Sequence, residues 1–139
     1  MGRRQGREAA LKTLFQVELG GAQPEFALNA TCEQEAIASA DVAFARDLVT
    51  GVLERLPELD ELLRRCSHEW SVERMAVLDR LILRLACYEI LFCSDIPVAV
   101  SINEAVELAK KYSTPEAGRF INGVLSAVAR GQLAEDGRL

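Results

Sequence analysis

Apolar residues along this chain recur at three- and four-residue intervals, the spacing of helices that each bury one face. Leu11, Leu14 and Phe15 set that pattern in a first helix expected from about Arg7 to Leu19. Pro24 opens a second, weakly patterned helix reaching about Ala38. Asp41 is placed to cap a third, in which Phe44, Leu48, Val52 and Leu56 form an i, i+4 stripe. Pro57 suits the first turn of a fourth, with Leu59, Leu62 and Leu63 inward. Ser71 is a fitting N-cap for a fifth, Val72 to about Phe92. Met75, Leu78, Leu81, Ile82, Leu85 and Phe92 fill one of its faces, and Leu83, Cys87, Ile90 and Leu91 populate another. A helix apolar on most sides is surrounded by others, so this is the expected central helix. Ser101-Ile-Asn-Glu104 reads as a capping box for a sixth, with Ile102, Ala105, Val106 and Ala109 inward. Thr114-Pro115 opens a seventh as N-cap and first residue, and Ile121, Val124, Leu125 and Val128 make its stripe. Gly131 is expected to end it. Only Ile96–Val100 looks strand-like, and it carries a proline. The pattern therefore specifies an all-α chain of about seven helices in a compact bundle. One domain spans residues 1–130, of which 1–6 are expected as a mobile basic arm, and 131–139 read as a frayed tail.

Composition narrows the class. Half of the 139 residues are hydrophobic, enough to build a core without disulfides or metal. The formal net charge of −5 argues against a nucleic-acid binder in bulk, but residues 1–12 carry +3 and the remainder −8. No apolar run approaches the roughly 20 residues of a membrane span. The N-terminal arginines are not followed by the apolar stretch of an export signal, so a cytoplasmic chain is expected. Cys32, Cys66, Cys87 and Cys93 form no C-x-x-C pair and are expected as reduced, apolar thiols, with no metal and no cofactor.

Nothing in the sequence supports an enzyme. The lone His68 has no neighbouring nucleophile and orienting acid. Gly118 and Gly123 lack the Lys-Ser/Thr that a phosphate loop requires. Glu89, on the apolar side of the central helix, is more plausible as a buried hydrogen-bond acceptor than as a catalytic acid.

Two features point towards RNA. A helix continued back through Arg3 and Arg7 would put both on the Leu11/Leu14 face, where charge cannot be buried unpaired. The arm must then overhang the core or be unfolded, and Gly2 and Gly6 favour unfolded. It serves either to grip phosphate or merely to solubilise. The second feature is Arg119-Phe120. Phe120 lies beside its helix's apolar stripe, where a ring is either core edge or a stacking platform for a base.

The same residues carry a family resemblance. Arg3-Arg4-Gln-Gly-Arg7-Glu8-Ala-Ala-Leu and Leu83-Arg84-Leu-Ala-Cys-Tyr88-Glu89 resemble segments of the NusB family. So do Ile102-Asn-Glu-Ala-Val-Glu-Leu-Ala-Lys110 and Arg119-Phe-Ile-Asn122-Gly123-Val-Leu125, and the likeness runs unbroken from about Arg3 to Arg130. It implies two packed three-helix subdomains with a basic N-terminal arm, and no catalysis. It also implies binding to the boxA element of nascent ribosomal RNA together with NusE, a small-subunit ribosomal protein, within an antitermination complex on RNA polymerase. By resemblance Arg3, Arg4, Arg7, Lys12, Arg119, Phe120 and Asn122 face RNA, and Phe15, Glu18, Asp79 and Arg84 face NusE. The arm is short, with three arginines, and Glu116-Ala-Gly118 replaces a more polar run before the Phe. Too little chain follows Arg130 for the methyltransferase fused to a related domain. The rival reading is a purely protein-binding helical scaffold, or a homodimer.

Overall fold

The computed structural model describes residues 2–67 and 72–135; His68, Ser71 and the end of the expected tail lie outside them. Among the described residues run α1 (Gly2–Gly20), α2 (Pro24–Gln34), α3 (Ser39–Glu54), α4 (Leu56–Ser67), a 3-10 turn (Val72–Arg74), α5 (Val77–Phe92), α6 (Val98–Tyr112) and α7 (Pro115–Glu135). The chain divides into two compact units, Met1–Glu54 and Arg55–Leu139. The first is three helices; the second holds four, one more than the resemblance implies.

In the first unit α1 packs on both α2 and α3. Its core is Leu11 and Leu14 from α1, Leu28 from α2, and Leu48 and Val52 from α3. α1 begins five residues earlier than its pattern indicates, because Gly6 is a contact residue and not a breaker. A Cβ there would lie 3.0 Å from the Asp41 carbonyl oxygen and 3.0 Å from Phe44 Cδ2. The arm is thus helical. The third helix starts at Ser39, which puts Asp41 inside its first turn, buried, and not at the cap. α2 stops short of Ala38, since the chain turns through Ala36 at φ 53° and the Ile37 N–H donates to the Cys32 carbonyl at 3.0 Å.

In the second unit α5 is central. Its ten consecutive residues Leu81–Ile90 are all buried, and it touches α4, α6 and α7. Val72 and Met75 are also buried, but they belong to the 3-10 turn and the link after it; α5 itself starts only at Val77. Pro97 caps α6, so the strand-like Val98–Val100 forms its first turn. That shift removes the expected capping box: Ser101 is 2% exposed and donates its hydroxyl to Glu89 Oε1 at 2.9 Å. Glu89 is, as its position suggests, a buried acceptor. Thr114 does cap α7, its Oγ accepting the Ala117 N–H at 3.1 Å. Gly131 does not end that helix, which continues to Glu135.

Candidate nucleic-acid interface

The arm's four cations have different surroundings. Arg3 and Arg4 are exposed along the first turns of α1. Arg7, expected among the RNA contacts, is 5% exposed. Its Cζ lies 5.4 Å from the centre of the Phe44 ring, and that of Arg3 lies 4.7 Å from the same ring. A ring face is what lets a guanidinium sit on the helix's inner side. Arg7 therefore anchors the arm to α3 and presents no open charge. Lys12, half-buried, pairs with Glu35. Of the arm's four cations, Arg3 and Arg4 are the exposed ones.

On the same helix Phe15 is 36% exposed and Glu18 lies one turn on, also exposed. Leu19, four residues after Phe15 and thus on its face, is 58% exposed. Phe26, at the start of α2, is the most exposed large apolar side chain among the described residues. Neither Leu19 nor Phe26 is among the site residues expected from the sequence, although the Phe15/Leu19 spacing carries the signal.

In the second unit, the first turns of α7 separate two cavities. One, about 370 Å³, is lined by Phe120, Asp79, Arg74, Thr114 and Glu116 among others. Phe120 is half-buried there. Asp79 Oδ1 accepts the Ser113 hydroxyl at 2.7 Å, which fixes the carboxylate at the start of α5. The residue implied for RNA and the residue implied for a protein partner thus share a single cleft. Arg119 and Asn122 project to the other side of α7, into a groove of about 570 Å³ shared with α6.

Arg84 is turned inward. Its Nε and Nη2 donate to Asp60 Oδ1 and Oδ2, both at 2.8 Å, and the residue is 9% exposed. This bidentate, nearly buried pair ties α5 to α4, and the guanidinium is not offered to a partner. Three of the four cysteines are likewise internal: Cys32, Cys87 and Cys93 are buried, Cys66 is half-buried, and burial pushes the Cys87 thiol far above its ordinary range. No group of three or more His, Cys, Asp or Glu among the described residues is arranged to hold a metal ion. No helix among them is long and apolar enough to cross a membrane.

The NusB family model matches residues 4–130. The chain is 50% identical over 125 residues to a transcription antitermination protein NusB of Desulforamulus reducens, covering 90% of this chain and 87% of that one. A crystal form of T. maritima NusB superposes with a TM-score of 0.85 at 40% identity, covering 92% of this chain and 90% of the other. The structure of antitermination factors NusB and NusE in complex with dsRNA superposes with a TM-score of 0.86 at 27% identity, covering 94% and 97%. With one continuous family match over residues 4–130 and half of its aligned residues shared with a relative along most of both chains, this chain belongs to the NusB family.

Proposed function

We propose that the chain is a non-catalytic transcription antitermination factor. It binds the boxA element of nascent ribosomal RNA together with NusE and helps assemble the antitermination complex on RNA polymerase, in the cytoplasm. A structural neighbour in which NusB and NusE are in complex with dsRNA supports RNA and NusE as the partners. The observation that carries the reading is Phe120, a half-buried ring that lines a cleft and is next in sequence to the exposed Arg119. Stacking on an aromatic ring that lines a cleft suits an unstacked base, which single strands supply and duplexes do not. Arg3 and Arg4 add phosphate contacts that are blind to sequence. Phe15 and Glu18 on α1, and Asp79 in the cleft, are the residues proposed to meet NusE.

The test is retention of boxA RNA against a scrambled RNA, with and without NusE. Preferential retention of boxA, strengthened by NusE, is expected. Equal retention of both RNAs would leave a protein-binding scaffold as the better reading.

A further inference from the structure

The α6/α7 groove is chemically unlike the Phe120 cleft. Its floor is apolar, made by Ile102 and Val106 with Gly118 opposite. Around the floor stand Asn103, Lys110, Arg119 and Asn122. Lys110 makes only a 3.5 Å contact with Glu107, while Asn103, Arg119 and Asn122 have no partner among the described residues. In a chain of formal charge −5, this lining holds two cations and no carboxylate. Its volume is about 570 Å³, and it is open to solvent.

We propose that this groove is a second nucleotide subsite, in which one base of a single-stranded RNA lies on the apolar floor. This deepens the RNA-binding reading and rests on it. Each carboxamide carries both donors and an acceptor, the equipment for reading a base edge. Lys110 and Arg119 supply the charge that the flanking phosphates require. An acidic peptide would use the two cations but brings no flat ring to the apolar lining of Ile102 and Val106. Because Phe120 and Arg119 are adjacent in sequence and open into different cavities, a strand crossing the first turns of α7 reaches both.

The experiment measures binding of a boxA-type RNA oligonucleotide and of a series made abasic at one position at a time. Asn103→Ala and Lys110→Ala are compared with the unaltered chain and with Phe120→Ala. Each groove variant is expected to weaken the intact RNA roughly five-fold, the effect of one lost hydrogen bond, with the melting temperature unchanged. One abasic position should abolish the Asn103→Ala effect, and a different one the Phe120→Ala effect. Gly118→Ala gives an independent check. Its methyl would meet Val106 Cγ1 at 3.5 Å and Lys110 Cγ at 3.9 Å, ordinary contact distances, so it fills the floor without strain. It should weaken RNA while melting no lower. If Asn103→Ala and Lys110→Ala bind every RNA as the unaltered chain does, the subsite is refuted while the RNA function stands. If polyglutamate competes through Asn103 and no abasic position matters, the groove is a peptide site and the proposal falls. Failure of the unaltered chain to bind any RNA overturns both readings.

Discussion

Ser101 on α6 donates its hydroxyl to Glu89 on α5 at 2.9 Å, with both side chains 2% exposed. Removing one donor from a buried carboxylate is a desolvation problem, not a contact problem. Ser101→Ala should therefore lower stability by about 1–3 kcal/mol. Chemical denaturation checks this, and RNA affinity of the folded fraction should not change.

Arg7 and Arg4 should separate in the same pair of assays. Arg7→Ala removes a buried guanidinium from the Phe44 ring and is expected to cost about 2 kcal/mol of stability. Arg4→Ala should leave melting intact and weaken all RNAs alike, reducing the salt slope by under about one unit. If Arg7→Ala instead behaves like Arg4→Ala, Arg7 does not anchor the arm.

The shared cleft makes Phe120 and Asp79 a test of which partner uses it. Phe120→Ala should cost about 1–3 kcal/mol of RNA affinity at nearly constant melting temperature. A loss of about 3–5 kcal/mol in stability, with RNA affinity preserved, would make the ring core edge. Asp79→Asn keeps an acceptor for Ser113 while deleting the charge. It should slow association with NusE and flatten its salt dependence. Calorimetry showing unchanged NusE affinity with unchanged melting would remove Asp79 from the interface.

Cys87 gives an alkaline signature. An unfolded thiol titrates near 9.0, whereas burial holds the folded one protonated to a much higher pH. Below about pH 9 the stability is fully present. Above it, the unfolded chain gains by losing a proton that the folded chain keeps, so stability falls by up to about 1.4 kcal/mol per pH unit. Cys87→Ala should flatten that decline while lowering stability at neutral pH through the cavity it leaves. Parallel pH profiles for the two proteins would refute the assignment.

Where a signal is local, the sequence carries it. Thr114-Pro115 caps α7 because the N-cap bond spans three residues, and the apolar run of α5 marks its place among its neighbours without knowing them. Long-range partners are what the local pattern does not carry. Gly6 reads as a helix breaker until the Asp41 carbonyl is seen where its side chain would be. Ser101-x-x-Glu104 reads as a capping box until Glu89, twelve residues away, claims the hydroxyl. Arg84 looks like an interface cation because Asp60, its partner, lies 24 residues away on another helix. Arg119 and Phe120 are neighbours in sequence, yet a helix sends successive side chains about 100° apart, so they serve different cavities.

The continuity of α1 through its first turns changes the thermodynamics of whatever Arg3 and Arg4 touch. A disordered basic tail must be frozen on contact, at roughly 1–2 kcal/mol per residue of backbone entropy. Here Gly6 seated on α3 has already ordered the backbone of those turns as part of folding. A ligand meeting the arm has no backbone to order there, and the affinity of those charges is linked to the stability of the first unit itself. Loosening the Gly6 contact, as Gly6→Ala would, returns that ordering cost to the binding step.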